Sequence, residues 1–433
     1  MNNRDTLKKL LVEFREEGIP EPVFERETVI DEKINKANMI TGIRRSGKTY
    51  KLYRKIQEKG VENCFYINME DERLLQPTVE DLSEIIPVIE ETFETSKPIN
   101  LFIDEIQNIE NWEKWARRIS EDEDVFLYIT GSSSKLSSRG ISTALRGRTL
   151  TTYNFPLNFR EYLDFNEVDI PENVQHSRKR HGLKRHFEQF LKFGGMPEVV
   201  LSENERIKRK ILQEYFNTII TRDIIERNKV RNTQKLENFI KLLLNHFSRM
   251  ISFSKTRKWL KSLGIKTTKK TLIEYFDYIK KSYFMFDVKI FSSSVKDRLQ
   301  YPRKVYVVDN GFPTAVSDSF SEDRGWYFEN LVALELYKET VENPSKDIHY
   351  WKDRKGNEVD FVLKKGDKVE KLVQVCADLN QDNRNRELDN LIKASEDLGC
   401  EKLHIVTGNS KGKIEHRGKT VEATPLWLWS LKN

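Results

Sequence analysis

With 433 residues the chain is too long for one hydrophobic core and is expected to divide into two to four domains. Its 38% hydrophobic and 33% charged residues suit a soluble protein with a charged surface. No apolar run approaches a membrane span, and the polar stretch Met1–Leu10 excludes a signal peptide. Three cysteines (Cys64, Cys376 and Cys400) exclude a disulfide framework and carry no metal-ligand spacing, so a cytoplasmic protein without membrane partners is expected. The net charge of +6 is too mild to indicate nucleic acid by itself.

In chain order, the apolar run Ala37–Ile40 reads as a strand and Tyr50–Ile56 as a helix. Between them, Thr41–Thr49 is a complete G-x-x-x-x-G-K-[ST] phosphate loop. Gly42 and Gly47 permit the tight turn that aims successive N–H groups at a phosphate. Lys48 would reach the β- and γ-phosphates, and Thr49 would ligate Mg²⁺. The residues expected to hold ATP are Gly42, Ile43, Arg44, Arg45, Ser46, Gly47, Lys48, Thr49 and Tyr50. The following helix adds its N-terminal dipole.

A further strand, Cys64–Asn68, precedes a second motif. The strand pattern Pro98–Ile103 ends in Asp104-Glu105, so Asp104 is expected on Mg²⁺ with Thr49, and Glu105 beside an attacking water. Val125–Thr130 is another apolar strand, followed by Gly131–Ser134. Ser132 is the candidate to sense the γ-phosphate, although a plain flexible turn fits that stretch equally well. Arg146 and Arg148, with Arg139, are candidates to reach a γ-phosphate in cis or from a neighbouring copy. A solvated basic loop is the alternative for each.

Beyond Phe155–Leu163 the pattern turns helical. Leu183–Phe193 ends at Gly194-Gly195-Met196-Pro197, and a longer helix runs from Glu203 to Arg227. Residues 233–309 read as a winged helix-turn-helix. Its helices are Leu236–Phe247, Ser254–Leu263 and Thr268–Lys281, with Gly264 at the turn. Its strands are Ser282–Val288 and Lys304–Val308, joined by the polar stretch Ser292–Arg303. Lys266, Lys269 and Lys270 open the third helix, a composition suited to phosphate contacts. DNA is therefore a candidate partner, with simple packing between domains as the alternative.

From Gly325 the order is helix (Trp326–Leu336), hairpin (Ile348–Trp351 and Glu358–Leu363), strand (Leu372–Cys376) and helix (Glu387–Leu398). This is the core of a restriction-endonuclease-like domain, whose site needs an Asp and a Glu or Gln two residues before a Lys. Asp360 and Gln374 fit, and Glu329 could add a helix acid. Cys376 stands where the lysine should be, so a decayed nuclease kept for binding is the expected state.

Taken together, Thr41–Thr49, Tyr66–Asn68, Phe102–Gln107, Thr130–Ser133, Phe155–Glu161 and Gly194–Glu198 resemble the archaeal and bacterial AAA-type ATPases that carry a C-terminal domain of unknown function. The resemblance covers essentially the whole chain and makes Arg44 and Arg45 a family mark. It implies ATP and Mg²⁺ as cofactors and leaves a homo-oligomer open. The expected fold is α/β: a P-loop ATPase core (1–160), a helical lid (161–232), a winged helix-turn-helix (233–315) and a restriction-endonuclease-like α/β domain (316–433). The expected activity is ATP hydrolysis coupled to DNA. A nucleotide-controlled switch or scaffold and an ATP-dependent nuclease are the alternatives.

Overall fold

The computed structural model describes residues 2–132, 145, 147–174, 177–316 and 324–432. The chain forms two compact units: residues 1–155 with 281–283, and residues 156–280 with 284–433.

The first unit runs α1 (Asn3–Glu17), β1 (Ala37–Thr41), α2 (Lys48–Lys59), β2 (Cys64–Asn68), α3 (Val79–Thr92), β3 (Ile99–Asp104), α4 (Trp112–Ser120), β4 (Val125–Gly131) and β5 (Thr149–Tyr153). Its strands form one parallel sheet in the order β2-β3-β4-β1-β5. Helices cover both faces of such a sheet, which is why its strands read as near-continuous apolar runs. Alternate residues sort to the two faces. Met39, Leu101, Ile103, Leu127 and Ile129 join the core of Leu7, Leu82, Ile85 and Trp115 from α1, α3 and α4. Ile40, Phe102 and Tyr128 point the other way, onto Leu52 and Ile56 of α2. Because β4 is inserted between β1 and β3, the phosphate loop and the acidic strand end leave a gap one strand wide.

The second unit begins with α5 (Phe159–Phe165), α6 (Arg180–Phe193), α7 (Pro197–Leu201) and α8 (Glu205–Thr218), which continues as a π-helical stretch, Ile219–Glu226. Next come α9 (Thr233–Leu244), β6 (Arg249–Ile251), α10 (Phe253–Ser262), α11 (Lys269–Lys281), β7 (Met285–Ile290), α12 (Val295–Gln300), β8 (Arg303–Val307) and α13 (Gly311–Val316). The remainder is α14 (Arg324–Glu342), β9 (Lys346–Lys352), β10 (Glu358–Lys365), β11 (Lys368–Cys376), α15 (Gln381–Leu398), β12 (Leu403–Thr407), β13 (Gly412–His416), β14 (Lys419–Pro425) and α16 (Leu426–Trp429). One sheet joins all nine strands in the order β13-β14-β12-β11-β10-β9-β7-β8-β6. Strand β7 is antiparallel to β8 and parallel to β9, so the hairpin at 285–307 and the C-terminal strands share a single sheet.

Several elements differ from expectation for local reasons. Strand β7 starts at Met285 because Tyr283 takes a left-handed conformation, φ 61°, that cannot extend a strand. The polar stretch 292–303 contains α12, nucleated by Ser294, whose side chain accepts from Asp297 N–H. Helix α15 starts six residues before Glu387 because Asn380 caps it, accepting from the N–H groups of Asp382 and Asn383. Strands β12–β14 had no counterpart in the sequence reading.

The Gly194-Gly195 pair has a packing role. Gly194 sits at φ 75°, and a Cβ there would lie 1.8 Å from Asp309 Oδ1. A Cβ on Gly195 would lie 2.1 Å from Leu157 O. Gly195 N–H donates to Asp309 Oδ2 at 2.7 Å, and Gly195 O accepts from Leu157 N–H at 2.8 Å. The residue pair is thus a point where three chain segments meet without room for a side chain. Among the described residues no helix is long and apolar enough to cross a membrane.

Candidate nucleotide site in the first unit

The loop after β1 bends as its glycines require. Gly42 is at φ 154°, and a Cβ there would meet Asn154 O at 2.2 Å. Gly47 caps α2 in a left-handed conformation, and Arg45 is left-handed as well, at φ 69°. The loop is braced from outside. Asn154, just past β5, donates to Ser46 O at 2.7 Å, and Arg26 donates to the same oxygen at 3.2 Å. Arg44 lies 3.4 Å from Glu70, Ile43 is buried, and Tyr50 is exposed on the first turn of α2. Lys48 is 4% exposed and its ammonium donates to Ile43 O at 3.1 Å. The charge therefore rests inside the concavity of the loop.

Asp104, 1% exposed at the end of β3, faces Thr49 across the sheet edge. Thr49 Oγ1 donates to its Oδ2 at 2.7 Å, and Tyr66 OH donates to the same oxygen at 3.0 Å. The Thr130 hydroxyl donates to Oδ1. Burial, and next the neighbouring charge of Glu105, raise the Asp104 carboxyl above its ordinary range. Burial and Asp104 itself push the Tyr66 phenol up, so Tyr66 stays protonated and donates. Three hydroxyls and no cation satisfy Asp104 among the described residues. Two adjacent carboxylates and a threonine hydroxyl are hard oxygen donors of the kind Mg²⁺ takes. Thr49 and Asp104 fit that ion.

Glu105 adopts a left-handed conformation, φ 54° and ψ 44°, which costs a non-glycine residue about 1–2 kcal/mol. Its N–H donates to Thr130 Oγ1 at 3.1 Å, and its carboxylate accepts from Gln107 Nε2. The strained backbone turns the side chain out of the strand line just past Asp104. Ser132 is buried immediately after β4. Thr130, two residues earlier, is the β4 residue that bonds Asp104 and Glu105.

The arginine expectations fare differently. Arg146 lies outside the described residues, as do Arg139, Ser133 and Ser134. Arg148 precedes β5 at the edge of the sheet where β1 begins, with its carbonyl accepting from Ala37 N–H at 2.8 Å and its guanidinium 3.4 Å from Glu121. The phosphate loop leaves the other end of β1, about 16 Å away for a five-residue strand. A role for Arg148 at its own chain's phosphates is corrected by this geometry.

Sequence reasoning missed Thr130, Asn154 and Arg26, and gave Tyr66 no role. Tyr66 and Thr130 are polar residues near the ends of buried strands, a detectable signal. Asn154 and Arg26 reach the loop with side-chain N–H groups from irregular segments that carry no such signal.

In the second unit the nuclease-pattern residues also meet. Lys304 of β8, 4% exposed, lies 2.7 Å from Asp360 Oδ1 and 3.0 Å from both Glu329 and Glu358. Tyr306 donates to Glu329 at 2.7 Å. Gln374 accepts from Asp360 N–H at 3.2 Å and donates to Glu387 at 2.8 Å. Cys376 is half-buried, its thiol pushed up to about 11 by burial. The ammonium that position 376 of β11 lacks thus comes from Lys304 of β8.

A braced phosphate loop one strand away from an acidic strand end defines an AAA-type P-loop protein. In agreement, the chain matches an AAA domain over residues 34–163 and two domains of unknown function over 184–323 and 324–429. It is 38% identical over 404 residues to an uncharacterized protein of Methanocaldococcus jannaschii, covering 92% of this chain and 88% of that one. The chain belongs to that protein's family. An uncharacterized protein of Haemophilus influenzae is 28% identical over 396 residues, covering 90% and 93%. Among solved structures, the match to the Aeropyrum pernix Orc1 protein in complex with DNA covers 74% of this chain and 92% of that one, at 13% identity and TM-score 0.30.

Proposed function

We propose that the first unit binds and hydrolyses ATP with Mg²⁺. The observation that carries this reading is the 2.7 Å approach of Thr49 to a buried Asp104 that no cationic side chain among the described residues pairs, beside a strained Glu105. Thr49 and Asp104 would hold the metal, which would supply positive charge to the phosphates. Lys48 leaves the loop carbonyls for the β- and γ-phosphates. Glu105 exchanges Gln107 for the attacking water and takes its proton. Thr130 links the Asp104 carboxylate to the Glu105 backbone and couples the two, with Ser132 beside the same strand end as γ-phosphate sensor. Arg146 or Arg148 acts from a neighbouring copy in a homo-oligomer.

DNA is the partner we assign to the second unit. The order α9-β6-α10-α11-β7-β8, with β8 antiparallel to both β6 and β7, supports a winged helix-turn-helix over residues 233–315. Gly264 supplies its turn at φ 80°. Lys255, Arg257, Lys258, Lys261, Lys266 and Lys269 are all exposed on α10, α11 and the turn, and none forms an ion pair among the described residues. Uncompensated lysines of this density suit a phosphate backbone. The remaining divisions at 160, 232 and 315 are part of the same proposal. The closed ion-pair network around Lys304 favours a restriction-endonuclease-like domain that scaffolds and does not cleave.

Glu105→Gln tests the core of this reading. ATP binding should persist while turnover falls by about 100-fold or more, the loss of a general base. Turnover by the wild type should rise with duplex, single-stranded or branched DNA. Equal turnover in the variant refutes the role of Glu105, and indifference to every DNA form turns the reading to a nucleotide-controlled switch.

A further inference from the structure

A cavity of about 530 Å³ lies on the face of the C-terminal sheet opposite α15, lined by His404, Lys371, Glu370, Lys402, Lys413 and Trp429 among others. No expectation drawn from the sequence touches it. It lies wholly within the second unit and is independent of the ATPase reading.

Its floor holds polar atoms that the protein leaves unanswered. His404 is 7% exposed, and its Nε2 has no hydrogen-bond partner among the described residues. Its Nδ1 lies 3.8 Å from Glu422, beyond hydrogen-bond reach. Burial, with Lys371 and Lys432 nearby, pulls the imidazole down to about 3, so the ring is neutral and offers one donor and one acceptor. Glu370 Oε2 is likewise buried without a hydrogen-bond partner among the described residues, with the charges of Lys346 and Lys371 near it. Leaving such atoms unpaired costs free energy that a ligand able to hydrogen-bond them can recover.

The rim is cationic. Lys402, Lys413 and Lys432 are exposed and form no ion pair among the described residues, and Lys371 lies 4.1 Å over the Trp429 ring. Two of the four lining glutamates are already engaged: Glu339 by Lys346 at 2.6 Å and Glu401 by Lys419 at 3.3 Å. The rim therefore favours an anion, while the floor asks for an N–H donor to Glu370 and a ring partner for His404. A nucleotide, with a base edge at one end and phosphate at the other, meets all three demands, and the volume lies within the range of small-molecule sites. We propose that this cavity is a second nucleotide site, with the base edge against His404 and Glu370 and the phosphates against Lys402, Lys413 and Lys432.

Calorimetric titration of full-length Lys48→Ala, crippled at the phosphate loop, tests it with AMP, ATP and inorganic phosphate as separate probes. One nucleotide should still bind per chain. The exposed double variant Lys402→Ala/Lys413→Ala, in the same background, should weaken binding by about tenfold or more without a change in melting temperature. His404→Phe should weaken AMP more than phosphate. Absence of binding to Lys48→Ala, or binding unchanged by the double lysine variant, overturns the site. Inorganic phosphate binding as tightly as AMP overturns the assignment of the base.

Discussion

Asp104 and Asp360 are both buried aspartates at a β-sheet, and each gathers neighbours of a different kind. Asp104 is met by the hydroxyls of Thr49, Tyr66 and Thr130 and sits beside a second carboxylate, with no cation paired to it among the described residues. Asp360 is met at 2.7 Å by Lys304, which also holds Glu329 and Glu358. The first arrangement is short of positive charge by design of its donors, since hydroxyls can turn to a metal as readily as to a carboxylate. The second carries its counter-ion on a strand. An incoming Mg²⁺ would have to displace a buried ammonium there, whereas at Asp104 it meets an unfilled demand. The lesson is that the same residue type, buried in both units, carries its counter-ion in one and only hydroxyl donors in the other.

Removing the strand-borne cation is the harshest way to break this contrast. Lys304→Met should cost about 3–5 kcal/mol, because buried Asp360 and half-buried Glu329 lose the ammonium they share, while Glu358 keeps Lys352 at 3.0 Å. Chemical denaturation reads it, and tolerance of the change would mean that Lys304 is dispensable and the site open. Burial already raises the Glu329 carboxyl to about 7, so protonation below that value should partly rescue the variant. At the other site, Asp104→Asn should move the ligand-free melting point little, since a neutral side chain removes the charge that burial penalises. It should instead abolish the stabilisation by Mg²⁺-ATP, about 2.7 kcal/mol at one hundred times the dissociation constant. A large ligand-free loss, with Mg²⁺-ATP stabilisation retained, would reverse the comparison.

How much of this was legible in the sequence follows from the range of the forces involved. The phosphate loop and the Asp104-Glu105 strand end are local patterns, and their residues come together as the motif spacing implies. Period-two burial also separates Met39 from Ile40 and Leu101 from Phe102 on opposite faces. What stayed hidden depends on partners distant in the chain. Lys304 is 56 residues from Asp360, and its pairing requires β8 to join the same nine-stranded sheet as β10. Asn154 reaches Ser46 across 108 residues from a loop with no periodic signal. Strands β13 and β14 are short, and β13 has no buried residue, so little in their own sequence marks them; their place comes from the pairing of β14 with β12 and of β13 with β14.

A third buried aspartate gives the smallest effect and the finest test of the contrast. Asp309 is 2% exposed and has two backbone N–H donors, from Gly195 at 2.7 Å and Gly311 at 2.8 Å. Among the described residues it has neither the hydroxyl cage of Asp104 nor a lysine paired to it, and burial pushes its carboxyl from 3.8 up to about 7 against a smaller opposing pull from Lys338. A folded-state value above the unfolded one means that the folded chain holds the extra proton between those limits. Stability contributed by that proton is complete below pH 4 and is lost as pH rises towards 7, by at most about 1.4 kcal/mol per unit. Asp309→Asn cannot ionise, so the slope of stability against pH over this window should flatten, while one N–H loses its acceptor at every pH. An unchanged slope would show that the two N–H donors alone stabilise the charge. In that case hydrogen bonding, and not a missing cation, would have to account for the state of Asp104 as well.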